Sequence, residues 1–172
     1  MLEAGSGRSS ADIAIPVSPA AIAATAGAVG SADGIFVQLN TGSRNIAMGA
    51  SSSRNMTTGN DNIALGHLSL AGNFAGSESV AIGAQSMFNA NNSTTNFVTY
   101  NTALGAYSLM GSGTPANNSG RYNTAIGHSA MAGNTTGPSN VAVGFEALNT
   151  NTTGFFNTGV GYQTLKTANG SS

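Results

Sequence analysis

The motif Asn-x-Ala-aliphatic-Gly recurs along this 172-residue chain, and its spacing limits the possible folds more than any other feature. The motif glycines are Gly49, Gly66, Gly83, Gly105, Gly127, Gly144 and Gly161, so the spacings between successive copies are 17, 17, 22, 22, 17 and 17. Internal repeats of this size are typical of solenoids, in which each repeat forms one coil. A helical solenoid needs about 30 residues or more per repeat with 3.6-residue periodicity, which is not seen. The sequence therefore predicts an all-β solenoid with seven coils, each as long as one of the two spacings, 17 or 22.

Three further columns of equivalent residues lie at fixed distances from these glycines. Four residues before the glycine is the asparagine column: Asn45, Asn62, Ser79, Asn101, Asn123, Asn140 and Asn157. Two residues before it is the alanine column: Ala47, Ala64, Ala81, Ala103, Ala125, Ala142 and Gly159. Four residues after it is the leucine/methionine column: Leu70, Met87, Leu109, Met131, Leu148 and Leu165, with Ser53 in the first repeat.

Each repeat contains an apolar run too short for a helix and bounded by turn residues. We therefore predict a short strand, a sharp bend at the glycine, a second short strand and a return turn. The glycine supplies backbone angles that a side chain forbids, or lets two backbones approach closely. Asparagine tolerates the left-handed region and can hydrogen-bond along a stack of equivalent residues. The longer repeats should place their additional residues in loops on one side, at 88–100 and 110–122.

The two faces of each strand predict self-association. In Val80-Ala81-Ile82, the valine and isoleucine share one face while the alanine lies on the other. The alanine column indicates a tight interior, yet the residue immediately before the glycine is always a large aliphatic one. A thin coil can cover only one of these faces, so a second body must cover the other. We favour a parallel, in-register homo-oligomer.

The repeats resemble those of a known family. The runs "NTAIGHSAM", "NTTGPSNVAVGFEAL" and "NTTGFFNTGVGYQTL", and "SVAIGAQS" at Ser79–Ser86, resemble the head repeat of trimeric autotransporter adhesins, a repeat also found in bacteriophage tail fibres. The resemblance covers residues 43–168, although these repeats are longer than the compact adhesin-head repeat. It implies a left-handed parallel β-roll, a homotrimer, and a location at an extracellular surface, either a virion fibre or a bacterial cell surface. The function expected is attachment to a cell-surface glycan or protein receptor.

The column five residues before each glycine, which we call the variable column, changes character along the chain and supplies the candidate contacts. It reads Arg44, Asp61, Glu78, Tyr100, Tyr122, Ser139 and Phe156. Exposed rings can stack on the C–H faces of sugars. We therefore predict receptor or glycan contacts at Tyr100, Tyr122 and Phe156, together with Arg121. The alternative is that these side chains pack against a neighbouring chain or the long loops. Arg44 and Asp61 are expected to form an exposed ion pair.

Composition argues against several other functions. The net charge is −1 with only five Lys and Arg residues, so no basic surface is available for nucleic acid. The six acidic residues are scattered, and no nucleophile has a His and carboxylate pattern beside it, so we predict no enzyme activity. Cysteine is absent, and His67 and His128 lack companion ligands. We therefore expect neither a metal nor another cofactor.

The repeats also define the organisation of the chain. We predict a flexible leader at 1–10, a capping or lead-in segment at 11–42 with a strand in Gly34–Asn40, the repeat domain at 43–168, and a tail at 169–172. The apolar stretch Ile13–Gly30 contains two prolines and has no cationic start, so we interpret it as neither a signal peptide nor a membrane span. An alternative function stays open, in which the chain is a subunit of an extracellular filament that polymerises by donating this N-terminal strand. Ice binding is disfavoured because no regular Thr array is present.

Overall fold

The repeats fold into an all-β structure. A computed structural model describes residues 42–167 and the backbone of Ile35–Phe36. The strands are β1 (Ile35–Phe36), β2 (Ile46–Met48), β3 (Ile63–Leu65), β4 (Gly76–Ser77), β5 (Val80–Ile82), β6 (Phe97–Val98), β7 (Thr102–Leu104), β8 (Thr124–Ile126), β9 (Val141–Val143) and β10 (Thr158–Val160). A 3-10 turn, Pro115–Asn117, lies in the second long loop. The expectations for the leader, most of the capping segment and the tail fall outside the described residues.

Seven of the strands stack in parallel, one from each repeat. The larger sheet has the order β1-β2-β3-β5-β7-β8-β9-β10, and every neighbouring pair from β2 to β10 is parallel. The register places each alanine opposite the alanine of the next repeat, as in Ala64 opposite Ala81 and Ala103 opposite Ala125. The predicted parallel β-solenoid of about seven turns is therefore confirmed.

The N-terminal edge of the sheet is covered by β1, which runs antiparallel to β2. Ile35 lies opposite Met48, and Phe36 lies opposite Ala47. This short strand belongs to the predicted Gly34–Asn40 run. It pairs with the outer edge of the first coil, which an open solenoid would leave exposed.

The prediction of a second strand after each motif glycine was wrong. Residues 66–72 form a bend and consecutive turns, and Leu68 and Leu70 have φ angles of +56° and +52°. The Ser69 N–H donates to the Gly66 carbonyl at 3.2 Å and closes a turn that an extended strand cannot form. Stacking still continues through this side of the coil, because the Leu70 N–H donates to the Ser86 carbonyl of the next coil at 2.9 Å.

The interior is thin and consists of two facing columns. The alanine column from Ala47 to Ala142 is buried, and so is the leucine/methionine column from Leu70 to Leu148. Leu70, Met131 and Leu148 are fully buried. Because small alanines lie across from large unbranched or γ-branched side chains, the two sides of each coil can approach and exclude water.

A hydrogen-bonded ladder runs along the asparagine column. The Asn123 side-chain oxygen accepts from the Asn140 N–H at 2.9 Å, while its amide donates to the Gly137 carbonyl of the next coil at 3.0 Å. Ser79 is too short to reach the Asn101 N–H in this way. The Thr99 hydroxyl lies 2.7 Å from the Ser79 hydroxyl and accepts from the Asn101 N–H at 3.3 Å. Thus the buried Asn101 N–H has an acceptor even where the repeat departs from asparagine.

The motif glycines form a close backbone contact between coils. They share φ angles between +118° and +133°, which L side chains rarely adopt. A Cβ atom added at any of the first six would lie 2.4–2.8 Å from the carbonyl oxygen of the next motif glycine. Both functions predicted for glycine, special backbone angles and close approach, therefore apply at the same position.

Candidate interaction surfaces

The outward face of the larger sheet is mostly apolar, with threonine at Thr102, Thr124 and Thr158, and it lacks a covering layer within the described residues. Its side chains come from the residues one and three before each motif glycine, and none is charged. Ile46 is 50% exposed, Leu104 44% and Val160 65%. In each of the seven stacked strands, the middle residue is buried and its two neighbours are partly or fully exposed. This strip extends along the whole described rod, and we call it the aliphatic face.

The variable column lies at an exposed corner of each coil. Its residues all adopt left-handed backbone angles, from +51° at Tyr100 to +59° at Tyr122. The left-handed conformation that the sequence suggested for asparagine therefore occurs one residue earlier. Backbone N–H groups of the column donate to the preceding coil, as from Ser139 to the Arg121 carbonyl at 2.8 Å. These side chains are consequently stacked at coil-to-coil intervals.

Two of the predicted contact residues pack against each other. The rings of Tyr100 and Tyr122 are stacked, with centroids 5.2 Å apart and planes inclined by 15°. Tyr122 is nevertheless 56% exposed, and Phe156 is 67% exposed. Phe156 contacts Phe155 edge to face at a centroid distance of 5.4 Å. The rings are therefore ordered by neighbours while much of their surface stays accessible.

Arg121 contacts the first long loop. Its guanidinium carbon lies 5.6 Å from the centre of the Phe97 ring, a cation–π contact. Phe97 is in β6, which pairs in parallel with β4. The first long loop thus forms a second, two-stranded sheet beside the main stack, in addition to the predicted bulge.

The two long loops also contact one another. The Asn118 amide donates to the Asn89 carbonyl and, at 3.1 Å, to the Ser112 carbonyl. The Thr58 hydroxyl hydrogen-bonds to the side-chain oxygen of Asn96, so the first loop reaches back over an earlier coil. These contacts hold the loops against the side of the rod.

Two features of the structure were not recognised in the sequence. One is a second set of buried asparagines, Asn73, Asn134 and Asn151, each of which donates to the glycine carbonyl three residues later. The recurring Asn-Thr-Thr-Gly run, at 134–137 and 151–154, was the available signal. The other is the ring packing along an aromatic edge: Tyr107, His128, Phe145 and Tyr162.

This aromatic edge lies just after the motif glycines. His128 stacks on Phe145 at 5.4 Å, and Phe145 stacks on Tyr162 at 5.3 Å. Tyr107 meets His128 edge to face at 5.5 Å. His128 is therefore part of a ring stack, and its Nδ1 lies 3.0 Å from the Ser129 hydroxyl. Ring packing gives this histidine a structural explanation.

Ion pairs connect coils at two places. Arg44 binds both carboxylate oxygens of Asp61, as expected, and this hydrogen bonding lowers the pKa of Asp61. The Lys166 ammonium lies 2.6 Å from Glu146, and the Gln163 amide donates to the same carboxylate at 2.7 Å. Hydrogen bonds from Lys166 and then Gln163 lower the pKa of Glu146 below its ordinary value. Both pairs are solvent-accessible, so each contributes modestly to stability.

The described part of the chain has neither a candidate metal cluster nor a membrane-spanning helix. Within it, no three His, Cys, Asp or Glu side chains are grouped so that they could hold a metal ion. Residues 42–167 also contain no helix with the length and apolar composition needed to cross a membrane. The apolar stretch Ile13–Gly30 lies outside these residues.

No protein-family model, curated protein or solved structure matches the chain.

Proposed function

We propose that the chain is a segment of a trimeric fibre or adhesin that mediates attachment to a cell surface. In this proposal the solenoid is a left-handed parallel β-roll whose coils have the two lengths of the motif spacing, 17 and 22. It works outside the cell, on a virion fibre or a bacterial surface, as a structural and binding protein without enzyme activity or cofactor. The aliphatic face associates with sister copies, and the loops and the variable column contact a glycan or protein receptor.

The aliphatic face is the observation that carries the proposal. Each coil directs two side chains outward from its strand, and apolar residues such as Ile46, Leu104 and Val160 are about half exposed in the single chain. Burial of apolar surface yields roughly 25 cal/mol per Å², so a continuous strip of such residues favours association. Soluble monomers seldom expose a contiguous apolar patch of more than a few hundred Å².

A parallel trimer about an axis along the rod suits this face. The seven stacked strands run in one direction and keep one register, so equivalent residues recur at every level. Copies related by rotation about such an axis bring the same coil of each chain to the same level. Each outward aliphatic side chain then meets its own equivalents, and the cyclic contact repeats from coil to coil.

The filament alternative has less support. It needs the N-terminal segment to add a strand to another protomer. The described strand of that region, β1, pairs with β2 of its own chain. The first coil therefore has its edge occupied without a donor from a partner.

The oligomeric state can be tested with a charge on the aliphatic face. Leu104→Lys is expected to convert a trimer into monomers, because three ammonium groups would be buried near one axis. In an isolated monomer the same change would be mild, since Leu104 is 44% exposed. Thr153→Lys, at an exposed position in a return turn, is the matched control and should stay trimeric. Sedimentation equilibrium gives the masses; a monomeric wild-type protein would contradict the trimer, and long polymers would favour the filament.

Attachment is tested separately. Fluorescently labelled protein is incubated with a panel of bacterial and animal cells, and bound fluorescence is measured. Saturable binding to at least one cell type is expected from the trimer. Binding to none of the panel would contradict the proposed attachment function while leaving the oligomeric state as measured.

A further inference from the structure

Three neighbouring coils place a small residue pair between two pairs of large residues in the variable corner of the rod. One side has Arg121 and Tyr122, the other has Phe155 and Phe156, and the coil between them contributes the small pair Pro138–Ser139. Backbone hydrogen bonds fix this order, since the Ser139 N–H donates to Arg121 and the Phe156 N–H donates to Pro138. We call the space above the small pair, between the two large pairs, the notch.

The notch has aromatic walls that are accessible to solvent. Tyr122 is 56% exposed and Phe156 67% exposed. One face of the Tyr122 ring is covered by Tyr100, with an angle of 15° between the planes. Because these two tyrosines belong to consecutive coils, the opposite face of Tyr122 is directed toward the coil of Ser139. Phe155 contacts Phe156 edge to face in the same coil.

The width of the notch selects the ligand. Strands in a parallel stack are separated by about 4.8 Å, so the two walls lie about 9.6 Å apart at the backbone. A flat ring between two aromatic faces needs about 7–8 Å, from two carbon–carbon contacts of about 3.5–4.0 Å. The notch is wider than a flat ring requires, and the remaining space suits a puckered saturated ring with C–H groups on both faces.

Polar groups are available at the edges of the notch. The Ser139 hydroxyl on its floor makes no hydrogen bond to other described residues, and Ser139 is partly exposed. The Arg121 guanidinium contacts Phe97 of the preceding coil, beside the Tyr122 wall. A hydroxyl and a cationic donor beside aromatic rings are the groups that recognise a sugar, which has apolar C–H faces and a polar rim.

We propose that this notch binds a pyranose ring of a cell-surface glycan, sandwiched between Tyr122 and Phe156 over Ser139. The proposal rests on the proposed attachment function for the source of the glycan. It assigns different roles to the four predicted contact residues: Tyr122 and Phe156 are the walls, Tyr100 supports Tyr122, and Arg121 donates hydrogen bonds to ring hydroxyls.

The decisive variant fills the notch. Ser139→Tyr places a ring between the two walls, and the backbone accepts it because Ser139 has a φ angle of +58° while Tyr100 and Tyr122 occupy the same column at +51° and +59°. The far-ultraviolet circular dichroism spectrum and the sedimentation behaviour of the variant should match the wild type. Phe156→Ala removes one wall at an exposed position and is the second variant. Tyr162→Ala is the control, because this ring is 73% exposed and lies outside the notch.

Binding is measured by saturation-transfer NMR titration with the methyl pyranosides of galactose, glucose and N-acetylglucosamine, and with the open-chain polyol mannitol. We expect the wild type and Tyr162→Ala to bind at least one pyranoside and not mannitol. Ser139→Tyr should abolish binding, and Phe156→Ala should weaken it about five- to tenfold, the equivalent of losing one aromatic contact. The proposal is overturned if no pyranoside binds the wild type, or if Ser139→Tyr binds as well as the wild type.

The two proposals fail in different ways. If labelled wild-type protein and labelled Ser139→Tyr attach equally to cells, the notch proposal is overturned and the attachment function stands. If no cell type is bound but pyranoside binding is abolished by Ser139→Tyr, the notch proposal stands and the attachment function is contradicted.

Discussion

The close contact between motif glycines predicts a large effect for a single added methyl group. In Gly105→Ala, the new Cβ would lie 2.5 Å from the Gly127 carbonyl oxygen, and the φ angle is +132°. The contact is made by the Cβ itself and a backbone oxygen, so no side-chain rotation can relieve it. The coils would have to separate by roughly 1 Å to restore an ordinary contact of about 3.5 Å.

Such a separation breaks hydrogen bonds between the coils. The Gly127 N–H donates to the Leu104 carbonyl at 2.7 Å, and the Ser129 N–H donates to the Ala106 carbonyl at 2.9 Å. If each N···O distance grew by about 1 Å, neither contact would be a hydrogen bond. Losing these two hydrogen bonds lowers the free energy of unfolding by about 1–3 kcal/mol. The backbone strain lowers it by about another 1–3 kcal/mol. We expect Gly105→Ala to lower the free energy of unfolding by about 2–6 kcal/mol.

Two matched variants separate these contributions. Gly161→Ala has nearly the same φ angle, +128°, but its Cβ would meet only the Thr164 hydroxyl at 2.9 Å. It should therefore cost about 1–3 kcal/mol, from strain alone. Gly113→Ala, where nothing lies within 4 Å, should change stability by less than about 0.5 kcal/mol.

The assay is urea unfolding followed by circular dichroism, with all variants at one protein concentration so that association contributes equally. A Gly105→Ala protein no less stable than Gly161→Ala would refute the proposed clash between coils. A Gly105→Ala protein as stable as Gly113→Ala would also rule out the cost of backbone strain.

Two further predictions concern the polar contacts between coils. Asn123→Ala leaves the buried Asn140 N–H without its acceptor, whereas the Gly137 carbonyl keeps the Asn134 amide as a donor, so the free energy of unfolding should fall by about 1–3 kcal/mol in the same urea assay; an unchanged urea midpoint would contradict this. Glu146 has a folded-state pKa below its ordinary value of 4.5 because Lys166 hydrogen-bonds to its carboxylate. The ion pair therefore stabilises the fold above pH 4.5, and this stabilisation is lost as the pH falls through the folded-state pKa. Glu146→Gln should consequently reduce the acid dependence of the thermal midpoint below pH 4.5, and an identical pH profile for variant and wild type would count against this ion pair.

The stacked architecture could be predicted because the seven repeats can be compared within one chain. A column that accepts only alanine, such as Ala64 to Ala142, indicates a narrow interior at one place in every coil. A column that accepts only glycine indicates a backbone requirement. Both inferences require only that equivalent positions in stacked coils have the same packing and backbone environment.

The conformation after each glycine could not be predicted in the same way. Leu68 and Leu70 adopt left-handed angles that leucine does not favour on its own. Their conformation is stabilised by hydrogen bonds to the coils on both sides, such as Leu68 to Ala50 and Leu70 to Ser86. Because these bonds exist only in the assembled stack, local preference pointed to a strand.

The candidate contacts were partly accessible to sequence reasoning. Tyr100, Tyr122 and Phe156 could be assigned to one exposed column from their spacing alone. The importance of Ser139 could not be predicted from its spacing, because it depends on the size difference between this residue and its neighbours in adjacent coils. The Thr99 hydroxyl that compensates for Ser79 was hidden for a similar reason, since it lies outside the asparagine column.

The register of the parallel sheet has a consequence for how such a rod changes in length. Each coil presents to the next the same glycine, asparagine and alanine contacts that it receives from the one before, as in the pairing of β8 with β7 and with β9. Loss or duplication of residues 128–144 would bring together two surfaces that already match. Recombination between repeats can therefore shorten or extend the reach of the molecule in whole coils while the remaining interfaces stay intact.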